Sequence, residues 1–282
     1  MPRINFQPKL DFNQVLITPK RSNLNSRSEV LLERTFVFKN GVSWTGIPII
    51  CANMSSTGTF ETFYELSKYK MITCFHKFYT VDDYLQVKDR LNKDYFMVSS
   101  GIGDTDYESL KRICETIDVK WICIDIANGY IPKFLEFCKK IKQDFPDKII
   151  VAGNVATPDM VNTLCLEGNI DIVKCGIGPG SACTTRLKTG VGMPQLSCIM
   201  DCGDAAHGVG HYIIGDGGIT CPGDLSKAFC GGADFVMMGG VFAGHEESPG
   251  EIIEKVVNGE TKKFKLFYGM SSTHAMMKYY GK

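Results

Sequence analysis

Eight short apolar runs recur along this chain of 282 residues, and their spacing constrains the fold more than any other feature. Each of the first seven is followed by a helical pattern, and the repeat averages about 25 residues, the size of a strand–helix unit. The pattern predicts a (β/α)8 barrel, an α/β fold, with a doubly wound open sheet as the alternative. The predicted strands are 47–51, 71–75, 95–98, 121–126, 148–152, 170–175, 212–214 and 235–238. The predicted helices are 60–68, 81–91, 107–116, 132–145, 158–166, 194–207 and 222–229.

The composition disfavours several classes of function. Lysine and arginine together number 31, as do aspartate and glutamate, so no bulk field favours nucleic acid or a membrane surface. The twelve cysteines lie mostly inside strand and helix patterns, which is typical of a reduced intracellular enzyme. Cys198, Cys202 and His207 raise the question of a zinc site, but no second Cys-x-x-Cys pair supports one.

A glycine-rich loop directly follows the sixth predicted strand. Residues 176–186 read Gly-Ile-Gly-Pro-Gly-Ser-Ala-Cys-Thr-Thr-Arg. Three glycines and a proline give a backbone that a ligand can approach closely. Cys183 is a candidate nucleophile, because a thiol on such a turn has hydroxyls beside it and reacts as the thiolate. The alternative is a small buried cysteine next to a structural turn.

A barrel places its chemistry at the carboxyl ends of the strands, and polar or glycine residues follow the predicted strands here. The pairs Gly217-Gly218 and Gly239-Gly240 match the usual phosphate position of such barrels, and Ser181 adds a hydroxyl. Asp216 is suited to the hydroxyls of a ribose, with capping of the next helix as the alternative. The arrangement indicates a phosphate-bearing nucleotide, and it also suits flavin mononucleotide.

The two ends of the chain differ from the central repeat. Residues 1–46 are predicted to be an irregular polar arm that packs on the barrel, which occupies 47–282. An insertion at about 241–272 is expected at the barrel mouth, with a hairpin turn at Asn258-Gly259. Residues 273–282 are expected to form one short helix at most.

Four motifs along the sequence together resemble those of one known family. The loop at 176–186, Gly-Met-Pro-Gln at 192–195, Asp-Gly-Gly at 216–218 and Tyr-Gly-Met-Ser-Ser at 268–272 resemble the IMP dehydrogenase/GMP reductase family through essentially the whole chain. Residues 76–81 run straight into a helix where dehydrogenases usually carry a large insertion, so the chain resembles the reductase branch. The resemblance implies NADPH-dependent reductive deamination of GMP to IMP and ammonia. The alternatives are IMP dehydrogenase and a catalytically inactive nucleotide-binding subunit.

The resemblance also implies roles at matching positions. Cys183 would attack C2 of the purine, and Thr185 would take part in proton transfer to the departing amine. The residues implied for GMP are Ser181, Asp216, Gly217, Gly218, Gly239, Gly240, Tyr268, Gly269, Met270 and Ser271. Those implied for NADPH are Ser26, Arg27, Lys77, Asp125, Ile126, Ala127, Ile177 and Gly178. A potassium ion is implied at Gly178, Gly180, Cys183 and Arg186, in a cytosolic homotetramer.

Several positions depart from the family pattern. Ser55-Ser56 stands where Asp-Thr is usual, Gly215 replaces a serine, and Met193 replaces a common tyrosine. The family continues with a segment that holds a catalytic glutamate and the eighth barrel helix. We therefore expect a barrel without that helix, from a chain that is incomplete or an inactive variant.

Overall fold

The predicted barrel is closed and parallel in the computed structural model, which describes residues 4, 6–270 and 272–281. In chain order the strands are β1 (Arg34–Val37), β2 (Ser43–Gly46), β3 (Ile49–Cys51), β4 (Ile72–Phe75), β5 (Phe96–Ser100), β6 (Trp121–Asp125), β7 (Ile149–Val155), β8 (Ile172–Cys175), β9 (Tyr212–Asp216), β10 (Phe235–Met238), β11 (Ile252–Val257) and β12 (Glu260–Lys265). Strands β3 to β10 pair in sequence order, and β10 pairs with β3 to complete the ring. The (β/α)8 fold is thereby confirmed, because a doubly wound sheet would leave two open edges.

Most of the helices cover the outside of the ring. The helices are α1 (Phe60–Leu66), α2 (Val81–Val87), α3 (Asp104–Thr116), α4 (Pro132–Asp144), α5 (Pro158–Leu166), α6 (Thr185–Thr189), α7 (Gln195–Gly208), α8 (Pro222–Cys230) and α9 (Thr273–Tyr280). Of these, α6 and α9 lie at the mouth of the ring. Proline begins α4, α5 and α8, where its missing N–H has no helical partner to lose. The barrel strands agree with the predicted ranges to within three residues at either end. Strand β7 runs longest past its predicted end, because Val155 still pairs with Cys175 beyond the polar Asn154.

The first 46 residues contain a hairpin that the sequence analysis did not predict. Strands β1 and β2 pair antiparallel and bury the aromatic side chains of Phe36, Phe38 and Trp44. The ring centroid of Phe36 lies 4.3 Å from that of Phe235, and Trp44 lies 5.6 Å from Trp121. Since these partners begin β10 and β6, the hairpin closes the amino-terminal end of the barrel. Ligands can therefore enter the barrel only at its carboxyl end.

Beyond β10 the chain returns to the mouth. The hairpin predicted at Asn258-Gly259 is confirmed as β11 and β12. Lys265 joins it to the preceding loop, because its ammonium donates to the carbonyls of His245, Glu246 and Ser248 at 2.9, 3.0 and 2.6 Å. The short helix expected in the last ten residues is present as α9. Of the helices among the described residues, none has the length and apolar character needed to cross a bilayer.

Candidate active site

Cys183 lies on the loop between β8 and α6, at the carboxyl end of the barrel, and its side chain is exposed. The thiol donates to Thr185 Oγ1 at 3.2 Å, and the backbone N–H donates to the carbonyl of Gly180 at 3.0 Å. Arg186 lies behind the loop and donates to the carbonyls of Ile177 and Met193. The thiol is thus presented to solvent, and the alternative of a buried structural cysteine is excluded.

A cavity of about 260 Å³ opens on one side of this thiol. Its walls include both predicted glycine pairs, together with Ser181 and Gly269. Gly217 and Gly218 have φ angles of +85° and +82°, which a side chain would strain. A Cβ on Gly240 would lie 3.0 Å from Ser181 Oγ, so the cysteine loop and the second glycine pair approach closely. The bare backbone forms a cradle of the kind that binds phosphate.

Cys183 also lines a larger cavity of about 580 Å³. Six of the residues implied for the dinucleotide line it: Lys77, Asp125, Ile126, Ala127, Ile177 and Gly178. They follow strands β4, β6 and β8, so the cavity extends across the mouth of the barrel.

The two cavities meet at Cys183. The residues that line both are Ala52, Met54, Cys183, Thr185, Asp216 and Met270. Two ligands bound side by side would therefore have the thiol and the Thr185 hydroxyl at their boundary.

A polar network supports Asp216 from below. Lys174 Nζ lies 2.8 Å from Asp216 Oδ2 and 3.4 Å from Asp125 Oδ1. Asn154 donates to the same Asp216 oxygen at 2.8 Å, and Asn53 donates to Asp125. These side chains come from the ends of strands β3, β6, β7, β8 and β9. The alternative that Asp216 caps α8 is excluded, because Cys221 occupies the N-cap position of that helix.

Lys174 is charged although its side chain is only 3% exposed. Burial alone lowers the pKa of a lysine, but the carboxylates of Asp125 and Asp216 outweigh burial, and the pKa of Lys174 lies above its usual value. The ammonium of Lys174 thus connects Asp125, which lines the larger cavity, to Asp216, which lines both cavities.

Comparison with known proteins agrees with this geometry. The family model for the IMP dehydrogenase/GMP reductase domain matches residues 9–282. The chain belongs to this family. GMP reductase 1 of Mus musculus is 54% identical over 285 residues, covering 100% of the chain and 81% of the mouse protein. GMP reductase of Photobacterium profundum is 56% identical, covering 99% of the chain and 80% of that protein, and GMP reductase of Ascaris suum is 49% identical, covering 100% and 80%.

Three of the positions that the family resemblance implies lie elsewhere. Ser26 and Arg27 lie on an exposed turn of the arm, and neither lines the cavities described above. Tyr268 also lies outside both linings, and its hydroxyl is 3.0 Å from Ser55 Oγ. Ser271 lies outside the described residues. The remaining implied residues for GMP and NADPH line at least one cavity.

The structure accounts for Ser55, which stands where the family usually has aspartate. Its side chain is buried and contacts Tyr268, and its backbone N–H donates to Met270 Sδ at 3.3 Å. Both partners belong to the segment that returns from the β11–β12 hairpin. Ser55 therefore fastens that segment to the barrel at the place where the two cavities meet.

Sequence analysis assigns no role to Lys174, which lies within the predicted strand 170–175, and it places Asn154 only at the carboxyl end of its strand. A usable signal was present, since a lysine within a buried parallel strand needs an acidic partner. The partners, Asp125 and Asp216, are 49 and 42 residues away in sequence, so only the closed barrel identifies them.

His76 should make the protein sensitive to acid. Burial first, and then the charge of Lys278, lower the pKa of His76 from 6.5 to about 4. The unfolded chain takes up this proton near pH 6.5 and the folded chain does so only near pH 4, so stability is full above pH 6.5 and falls between these values. The loss is about 3 kcal/mol. The free energy of unfolding, measured with urea above pH 6.5 and near pH 4, should differ less between the two pH values for His76→Gln than for the wild type. An equal difference in both proteins would contradict this assignment.

Proposed function

We propose that this chain catalyses the NADPH-dependent reductive deamination of GMP to IMP and ammonia. The observation that carries the proposal is the position of Cys183, which lines both the cavity with the phosphate cradle and the larger cavity. A reaction that joins a nucleotide and a dinucleotide needs one reacting centre that both can reach. Relatives named as GMP reductases, at 49–56% identity over nearly the whole chain, support the same reaction.

Cys183 acts as the nucleophile in this proposal. Its thiolate bonds to C2 of the purine, and the C2–N bond breaks so that the amine leaves as ammonia after gaining a proton. Thr185, 3.2 Å from the sulfur, is within reach to pass that proton to the amine. NADPH, when bound, supplies the hydride that C2 receives. The C2–S bond then breaks, which returns the thiolate and leaves IMP with hydrogen at C2.

The remaining residues bind and orient the ligands. The backbones at 217–218 and 239–240, with Ser181, hold the phosphate of GMP, and Asp216 accepts hydrogen bonds from its ribose. Gly269 and Met270 cover the nucleotide from the returning segment, which Ser55 fastens. The six lining residues named above fit a dinucleotide, since Lys77 offers a cation to its phosphates and Asp125 an acceptor to a ribose.

The proposal also includes assembly of the chain into a homotetramer. Phe6, Leu16 and Leu31 of the arm are 88%, 88% and 90% exposed, which supports burial of the arm in a homotetramer. Ser26 and Arg27 lie on that arm. In a tetramer they would reach the dinucleotide that is bound to a second copy of the chain, or the one that is bound to their own chain. Light scattering coupled to size exclusion measures the mass of the assembly directly. The cysteines of the described residues are free thiols, which supports a cytosolic location.

Potassium is proposed on the backbone of the cysteine loop, at Gly178, Gly180, Cys183 and Arg186. The carbonyls of Gly180 and Arg186 each accept one hydrogen bond, from Cys183 and Gly190, and each keeps a second lone pair. Carbonyl oxygens are the usual ligands of this ion. Activity in potassium salt and in choline salt of equal ionic strength tests its role, and equal rates would contradict it.

The reaction is tested by incubating the purified chain with GMP and NADPH. We expect the NADPH absorbance to fall only when GMP is present, with ammonia and IMP formed in equal amounts. The same protein with IMP and NAD⁺ tests the dehydrogenase alternative, in which absorbance would rise. An inactive nucleotide-binding subunit would bind GMP in calorimetry and show neither change.

A further inference from the structure

The first turn of α7 is capped by residues of the amino-terminal arm. The N-cap residue of this helix is Pro194, whose side chain offers no hydrogen-bond acceptor. Asp11 supplies one, since its Oδ1 accepts the backbone N–H of Gln195 at 2.5 Å. The carbonyl of Leu10 accepts the N–H of Ser197 at 3.1 Å. A carboxylate at this end of a helix also interacts favourably with the helix dipole, so Asp11 fixes the start of α7.

Gln195, the residue that Asp11 caps, joins the ends of two barrel strands. Its side chain is fully buried, and its Nε2 donates to the carbonyls of Cys175 and Asp216, each at 3.1 Å. Cys175 ends β8, from which the cysteine loop continues, and Asp216 ends β9. A Cβ on Gly176 would lie 2.8 Å from the same nitrogen, so the amide packs directly on the beginning of the loop. The position of this amide therefore sets the loop relative to Asp216.

The same carboxylate also faces the other end of the cysteine loop. Asp11 Oδ2 forms an ion pair with Arg186 at 3.7 Å. The Arg186 side chain is packed between two glycines, because a Cβ on Gly178 would lie 2.6 Å from its Cγ and one on Gly192 would lie 2.9 Å from it. The two carbonyls that accept its hydrogen bonds, described above, belong to the same two stretches of chain. One carboxylate of the arm thus contacts both the cysteine loop and the start of α7.

Other contacts attach this part of the arm without the carboxylate. Lys9 pairs with Asp201 of α7 at 2.6 Å. Phe12 is buried, and Lys227 of α8 donates to its carbonyl at 2.7 Å. A Cβ on Gly218 would lie 3.4 Å from the Phe12 ring, so this ring packs against the phosphate cradle. We therefore expect the arm to stay docked, and the cradle to keep its shape, when only the carboxylate is removed.

We propose that Asp11 is a positioning residue, which holds the thiol of Cys183 in place relative to a nucleotide bound at Asp216. Asp11 lines neither cavity, so it acts through Arg186 on the loop and through Gln195 on the ends of β8 and β9. This inference rests on the proposed function, because the distance at stake is the one between the sulfur and C2 of the purine. A displacement of about 1 Å between reacting groups costs about a hundredfold in rate.

The first test is a comparison of turnover with binding in Asp11→Ala. We expect kcat with GMP and NADPH to fall by about tenfold or more, and the Kd of GMP in calorimetry to stay within about twofold of the wild type. Asp201→Ala is the matched control. It removes the other carboxylate that joins the arm to α7, its side chain is 34% exposed against 38% for Asp11, and it lines neither cavity. It should keep the wild-type kcat.

Two further measurements test the route. Hydrogen exchange followed by mass spectrometry should be faster over residues 176–186 in Asp11→Ala than in the wild type, and unchanged there in Asp201→Ala. In a double-mutant cycle, Asp11→Ala combined with Arg186→Met should lower kcat by less than the product of the two single effects, since both changes break the same contact. A loss equal to that product would contradict the route through Arg186.

The outcomes separate this inference from the proposed function. If the wild type turns over GMP and Asp11→Ala does so at the same kcat, the positioning role is wrong and the function stands. A large loss of GMP affinity in Asp11→Ala, or an equal loss of kcat in Asp201→Ala, would show that the residue only docks the arm and would overturn the inference. If the wild type never turns over GMP but Asp11→Ala alone shows faster exchange at 176–186, the function is wrong and the control of the loop by Asp11 stands.

Discussion

Replacing Cys183 by alanine should reduce turnover of GMP by on the order of a thousandfold or more, while GMP still binds. The reason is that the nucleotide is held by backbone cradles and Asp216, none of which the substitution alters. The covalent step, in contrast, loses its nucleophile, because no other cysteine of the described residues lines either cavity. Steady-state rates with GMP and NADPH measure the loss, and calorimetry with GMP measures the retained affinity.

Cys230→Ala is the matched control, since Cys230 is exposed at the end of α8 and lines neither cavity. It should keep the wild-type rate. Alkylation followed by mass mapping gives a second measurement: GMP should protect Cys183 from a thiol reagent and leave Cys230 reactive. Turnover by Cys183→Ala at the wild-type rate, or equal labelling with and without GMP, would remove this thiol from the mechanism.

The barrel was predictable because its signal is local and repeated. Buried parallel strands read as short apolar runs, and each of the first seven is followed by a helix whose own start is often marked by proline, as at Pro132 and Pro158. The position of the site then followed from the fold, since barrels place their chemistry where the strands end. Cys183, Asp216 and the glycine pairs were found in this way.

Two other features were not predicted. The hairpin of β1 and β2 does carry a local signal, because Asn40-Gly41 joins two runs with alternating apolar residues, as Asn258-Gly259 does in the second hairpin. What this signal does not give is the partner of the buried rings, since Phe36 and Trp44 pack against Phe235 and Trp121, far along the chain. The network around Lys174 is likewise formed by strands that become neighbours only when the barrel closes. Periodicity reports which face of an element is buried, but it does not report which distant residue lies against that face.

Replacing Lys174 by methionine should lower the free energy of unfolding by about 3 kcal/mol. The ammonium is buried between two carboxylates, and its removal leaves both without a counter-charge at the end of the barrel. We place the value at the low end of the range for broken buried pairs, because the side chains of Asp125 and Asp216 are 28% and 20% exposed and water can partly solvate them. Urea unfolding monitored by circular dichroism measures the change.

The same substitution should weaken both ligands. Asp216 Oδ2 keeps Asn154 as a donor but loses Lys174, so the carboxylate that receives the ribose is less well oriented. Asp125 loses the same cation and belongs to the wall of the larger cavity. We expect the affinity for GMP and the KM for NADPH each to worsen by about tenfold, which corresponds to one lost charge-assisted hydrogen bond per site.

The variant Lys142→Met is a control that distinguishes a loss of stability from a loss of ligand affinity at the site. Lys142 pairs with Asp171 at 2.5 Å, and the two side chains are 10% and 1% exposed, so the carboxylate of this pair is more buried than either partner of Lys174, while both lysines are nearly buried. Asp171 precedes β8 at the amino-terminal end of the barrel, away from both cavities. We expect Lys142→Met to lower stability by about 3 to 5 kcal/mol and to leave ligand affinity unchanged wherever the chain is folded. If Lys174→Met weakened the ligands no more than Lys142→Met does, the ammonium would be a stabilising group of the barrel and would have no role in positioning Asp216.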